Sequence, residues 1–227
     1  MRSVSKFQKR LGINVHLIEC KKALDKRVKM LDEHFHRDVL DRGSRRILHR
    51  CTIGEGIVSS LWQSWCYFCR SIVLSSAAGT MTKGGGVVSS PYAHLNERQL
   101  ITLSLKFCRG ERIPPSIQMA NGWVDLAWGD VEKLNLIING MSTSNKDNLL
   151  SSFGAANHLK VLQKSRNACA HICTYTIEQI KNMRVFYNDN FFIHPSEIMF
   201  WTDPVSGRFL WKEWINEIDL ISSLVIE

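Results

Sequence analysis

Ile57 to Val73, IVSSLWQSWCYFCRSIV, decides the fold class. Ile57, Leu61, Trp65, Phe68 and Ile72 fall three or four residues apart, and Val58, Trp62, Cys69 and Val73 run beside them. That spacing lays a wide apolar stripe along a helix, which must pack against other helices. The opposite side carries Ser59, Ser60, Gln63, Ser64, Tyr67, Arg70 and Ser71. It is polar but almost uncharged, which suits a wet cleft or a seam between subunits better than open solvent.

Upstream, Leu17, Leu24, Val28, Leu31, Phe35 and Val39 repeat at helical spacing and predict a long helix from Leu17 to Leu40. Its Lys22, Lys26 and Lys29 form a basic stripe, followed by Arg42, Arg45, Arg46 and Arg50. Downstream, residues 79–95, with Lys83-Gly84-Gly85-Gly86 and Pro91, read as a long loop. No Gly-Lys-Ser/Thr follows those glycines, so they do not make a phosphate loop. A helix opens at Asn96, a good N-cap, and stops at Gly110, and another runs from Asp125 to Ile138 and ends at Gly140. Two more helical stretches are expected between Leu149 and Tyr187, the first ending around Lys164 and the second covering Tyr175 to Phe186. Asp203 to Gly207 is turn-rich and consistent with a small hairpin, after which Trp211, Trp214, Ile218, Ile221 and Val225 mark one face of a last helix. The expected fold is mainly all-α, with room for a small C-terminal β-hairpin.

The 227 residues are 44% hydrophobic and 22% charged, which excludes a wholly disordered chain and allows one core with an added arm. Net charge is +8, and all of the excess lies early: residues 1–50 hold 14 Lys/Arg against 6 Asp/Glu, whereas the remainder holds 15 of each. We therefore read residues 1–50 as a basic helical arm and 51–227 as a helical domain. A concentrated positive field attracts polyanions, and RNA is the expected partner through Lys22, Lys26, Lys29, Arg45, Arg46 and Arg70. Arg70 interrupts the longest uncharged neighbourhood, Gly56 to Thr82, so no membrane span is expected. The basic start leads into no long apolar stretch, and seven Cys without regular spacing do not form a disulfide framework. A cytoplasmic location follows as an expectation.

Arg166-Asn167-Ala168-Cys169-Ala170-His171 carries the chemistry. A neutral His can take the proton of a ribose 2′-hydroxyl, and an Arg presents a fork of donors to a phosphate as its charge builds. Such cleavage calls for neither metal nor cofactor. On an ideal helix Arg166 and His171 stand about 140° apart, whereas Asn167 and His171 share a face. The two groups then meet through an irregular backbone, a long reach by the Arg, or two copies joined across a two-fold axis.

Leu159 to His171, LKVLQKSRNACAH, resembles the conserved segment of HEPN domains, whose hallmark is an Arg, a polar residue and, a few positions on, a His. Arg166, Asn167 and His171 stand in those places. The resemblance implies an all-helical bundle that dimerises into a composite active site. It also implies a metal-independent endoribonuclease that leaves a 2′,3′-cyclic phosphate, acting as a toxin or in phage defence under an antitoxin or sensor protein. In toxins of this family partnered by a nucleotidyltransferase antitoxin, a Tyr usually follows two residues beyond the His. Here that place is Cys173, with Tyr175 the nearest Tyr.

Other readings make different predictions. A helix-capping Arg and a satisfied His would make the motif structural. Cys66, Cys69, Cys169, Cys173 and His171 could be argued as a zinc site, although Cys69 belongs to the apolar stripe. A non-catalytic module would use the basic arm to hold RNA and the bundle to dimerise. Glu55 and Arg70, at the two ends of the second helix, are candidates to support the site. Trp123, Trp128 and Trp201 would stack on bases if exposed.

Overall fold

The computed structural model describes residues 16–40, 47–114, 116–117 and 126–227. The chain is mainly all-α, with one two-stranded antiparallel sheet among the described residues. In order come α1 (Leu17–His34), α2 (Ile47–Ala78), β1 (Thr80–Met81), β2 (Val87–Val88), α3 (Glu97–Arg109), α4 (Val131–Met141), α5 (Lys146–Gly154), α6 (His158–Ala170), α7 (Thr174–Met183) and α8 (Leu210–Val225). Wider and tighter turns extend three places: a π turn at Phe35–Val39 and 3-10 turns at Arg184–Phe186 and Pro195–Phe200. Arg42, Arg45, Arg46, Trp123 and Asp125 lie outside the described residues.

By internal packing the chain divides into two units. One comprises the described part of Met1–Ala23 with Cys66–Ala155 and Ile221–Glu227, and the other Leu24–Trp65 with Ala156–Leu220.

In the first unit α3 packs on α4 and α4 on α5. The ends of α3 are those read from the sequence, because local chemistry sets both. The Asn96 side chain accepts from the Gln99 backbone N–H while the Gln99 side chain accepts from the Asn96 N–H, and Gly110 closes the helix at φ 65°. For α4 the sequence misled. Asp130 caps the helix, which passes through Gly140 and ends one residue later, with Ser142 at φ 48°. Gly140 serves close approach instead of termination: a Cβ there would lie 2.2 Å from Cγ of Phe107. Part of the expected loop is a hairpin, with Thr80 paired to Val88 and Met81 to Val87, and the triple glycine at its tip. Lys83 ties that tip to the chain end, its N–H donating to Ile226 O at 2.7 Å and its ammonium to Glu227 at 2.5 Å.

The second unit centres on tryptophans. Phe35 stacks on Trp211 at 4.9 Å and 15°, and the Trp211 indole N–H donates to Asp32 Oδ1 at 2.9 Å. Trp62, Trp65, Trp201, Trp211 and Trp214 are all buried, as is Trp128 in the first unit, so neither Trp128 nor Trp201 offers a face for stacking. The Asp203–Gly207 turn forms, flanked by single bridges of Asn188 with Thr202 and of Thr202 with Phe209.

α2 reaches ten residues further back than its apolar stripe begins. Its uncharged side is mostly covered: Ser64 is buried, its hydroxyl donating to Ser60 O at 2.7 Å, and Gln63 and Tyr67 are the exposed members. A serine satisfied by the carbonyl four residues back needs no solvent, so a Ser-rich face can pack inward.

Candidate functional site

The motif lies at the end of α6, a helix anchored at both ends within the second unit. Asn157 makes no side-chain cap. Instead, the buried Glu217 carboxylate of α8 accepts three backbone N–H groups, from Asn157 at 2.8 Å, His158 at 3.0 Å and Leu159 at 2.7 Å. A carboxylate against the positive end of a helix is favourable in charge as well as in hydrogen bonding. Leu159, Val161, Leu162, Ser165 and Ala168 face the core, and Ser165 donates to Pro195 O at 3.4 Å. That leaves Arg166 and Asn167 half-buried at the edge.

The sequence placed the end of this helix near Lys164, but it continues to Ala170. His171 is the C-cap, at φ −140° and ψ 80°, so it leaves the helical phase. Its N–H donates to Asn167 O at 2.9 Å, and its carbonyl accepts from Thr176 Oγ1 at 2.6 Å, tying it to the first turn of α7. The imidazole is exposed, and among the described residues neither ring nitrogen makes a hydrogen bond. Arg166 Nη1 donates to Asn167 Oδ1 at 3.2 Å, while its Nε is buried without a partner among the described residues. Arg166 is thus joined to Asn167, and Asn167 to His171 through the main chain, with no bond between guanidinium and imidazole among the described residues.

A polar cluster packs beside α6. His194 caps the Pro195–Phe200 turn, its Nδ1 accepting from the Ser196 N–H at 3.2 Å. The same Nδ1 lies 2.9 Å from Ser196 Oγ, and Nε2 lies 2.9 Å from Glu55 Oε1. Arg50 donates to Glu197 at 2.5 Å, with both side chains 12% exposed, and the Ile193 N–H donates to the other Glu197 oxygen at 2.8 Å. Burial alone would raise the Glu197 carboxyl, but the Ile193 N–H and Arg50 outweigh it and hold the group below the usual range. Burial, together with the negative charge of Glu55, pushes the Cys169 thiol up to about 12, so it is no nucleophile at neutral pH. Cys173 is the opposite case. It is exposed at the N-cap of α7, and hydrogen bonds from the Thr176 backbone and hydroxyl bring its thiol below the ordinary value.

No family model, curated protein or solved structure matches this chain.

The remaining sequence candidates are spread apart. Lys22, Lys26 and Lys29 are exposed along α1, with Lys22 paired to Glu19 at 2.7 Å. Arg45 and Arg46 lie outside the described residues. Arg70 belongs to the first unit and is turned inward, its guanidinium 14% exposed and paired to Glu97 at 2.5 Å. Glu55, by contrast, does lie beside the motif helix, through His194 and Cys169. Among the described residues no three His, Cys, Asp or Glu side chains converge as metal ligands would, and no helix is long and apolar enough to cross a membrane.

Sequence reading took Arg50 only as part of the basic run and His194 as a lone histidine, and gave no role to Ser196, Glu197 or Glu217. The local signal was present in His194-Pro195-Ser196-Glu197, where Pro at the first position and an acid in the first turn mark a helical start. Glu217 had no such signal, because its partners lie 58 to 60 residues away.

Proposed function

We propose that this chain is a metal-independent endoribonuclease that cleaves RNA through the ribose 2′-hydroxyl, with Arg166, Asn167 and His171 as its site. The observation that carries the reading is the exposed, unbonded imidazole of His171, held at the end of an anchored helix five residues beyond Arg166. In the reaction the 2′-oxygen bonds to phosphorus while its proton passes to His171. The P–O5′ bond breaks, and the leaving oxygen takes a proton back from the imidazolium or from water. The products are a 2′,3′-cyclic phosphate and a 5′-hydroxyl. Arg166 stabilises the charge building on the phosphate, and Asn167 orients Arg166 through its amide oxygen. General acid–base help of this kind is worth about 10²–10⁴-fold.

The resemblance to HEPN domains supports two further parts of the proposal. One is a homodimer in which two copies of the segment complete one site; the other is a toxin or phage-defence role under an antitoxin or sensor protein. A composite site accounts for Arg166 and His171 making no bond within one copy. That same separation favours a second reading, a non-catalytic RNA-binding module that dimerises.

The deciding test incubates the protein with a structured RNA in EDTA beside Arg166→Ala and His171→Ala, and analyses the product ends. Cyclic phosphate ends that vanish in both variants establish the nuclease. Equal results for all three proteins, with RNA still bound, turn the assignment to the binding module.

A further inference from the structure

The exposed side of α7, which begins where His171 is tied down, carries a regular pattern that the nuclease reading leaves unused. Tyr175, Gln179, Asn182 and Phe186 follow one another at four, three and four residues along α7 and the 3-10 turn that extends it. On a helix these positions fall within about a quarter turn of one line. Tyr175 is 68% exposed and Phe186 67% exposed. Asn182 is exposed and Gln179 half-buried, and neither makes a hydrogen bond among the described residues. The order is ring, amide, amide, ring.

The surrounding charge is mainly positive. Residues 157–190 hold Lys160, Lys164, Arg166, Lys181 and Arg184 against two carboxylates, Asp189 and Glu178, the latter off the line by about 60°. Lys160, Lys164 and Lys181 are exposed. Exposed rings offer stacking surfaces to unpaired bases, free amides can bond base edges, and cations beside them follow a phosphate backbone. A second copy of the same face would bring like charges together, so the charge favours a polyanion.

We infer that the Tyr175–Gln179–Asn182–Phe186 face of α7 is a track for single-stranded RNA, which it threads past His171. The inference rests on the nuclease reading for its substrate, but it is tested by binding. Thr176, one residue beyond Tyr175, donates to the His171 carbonyl at 2.6 Å, which ties the start of this face to the residue that carries the imidazole.

The experiment uses the full chain carrying His171→Ala, so that the RNA stays intact, and follows anisotropy of labelled oligo(A), oligo(C) and oligo(U) and of a duplex RNA. Tyr175→Ala and Phe186→Ala are each expected to weaken single-strand binding by about fivefold to a hundredfold. Tyr175→Phe restores it, and duplex binding stays unchanged. Gln179→Ala and Asn182→Ala are expected to narrow the differences among the three homopolymers. Unaltered single-strand affinity in both ring variants overturns the track, as does a fall in oligomer mass on ring removal, which would make α7 a protein interface. Cleavage by the parent chain is scored separately. Cleavage with ring-independent binding defeats the track alone, and ring-dependent binding without cleavage defeats the nuclease alone.

Discussion

Glu217 Oε2 accepts the backbone N–H of Leu159 at 2.7 Å, while Oε1 takes those of Asn157 and His158. One buried carboxylate on the last helix thereby fixes the start of the helix whose other end carries Arg166, Asn167 and His171. The end of α6 is exposed, but its position is set by groups in the interior of the same unit.

Glu217→Gln keeps the shape and one acceptor but removes the charge, so the N-terminus of α6 loses charge-assisted bonding. Hydrogen bonds to a charged group contribute about 1.5–3 kcal/mol, and a loss of that order in unfolding free energy by urea titration is expected. Any RNA cleavage should fall with it, because the helix register supports the motif.

Gly140 and Gly56 are both helical glycines with opposite expected responses to alanine. At Gly140 the new methyl meets the Phe107 ring, and overpacking of this kind costs about 1–3 kcal/mol. Gly56 is exposed with nothing within 4 Å of its absent Cβ, so Gly56→Ala should stabilise by about 0.5–1 kcal/mol. Thermal melts of the two variants separate the effects by sign.

Acid should weaken the Arg50–Glu197 pair. The Glu197 carboxyl lies below its ordinary 4.5, so its contribution to stability is present above that value and is lost as pH falls through the folded value. Glu197→Gln is therefore less stable than the parent at neutral pH, with a gap that closes below pH 4.5. Urea titrations across that range measure the closure; a constant gap would show that the pair does not govern it.

Cys173 should react first with iodoacetamide near neutral pH. It is exposed with a lowered thiol value, whereas burial raises Cys169 to about 12 and Cys69 well above its ordinary value. Mass spectrometry of partly labelled protein should place the first adduct on Cys173. Thr176→Val, which removes one hydrogen bond to the sulfur, should slow that labelling.

The sequence by itself determined most of the helical segments, though not all of their ends, and for several of them which side is buried. Apolar spacing in Ile57–Val73 and Trp211–Val225 follows the helical period, and the caps at Asn96 and Gly110 act within four residues, so neighbours along the chain were enough. The Arg166–His171 pattern was legible for the same reason. What only the tertiary structure decided depends on distant partners. Gly140 reads as a stop until Phe107 arrives against it, Arg70 reads as a free cation until Glu97 pairs with it, and Ser64 reads as lining a wet cleft or a subunit seam until its helix packs. Glu217 reads as one more surface carboxylate in an amphipathic helix. Its role comes from three N–H groups some sixty residues away, and no pattern along the chain encodes a hydrogen bond that exists only after the helices have met.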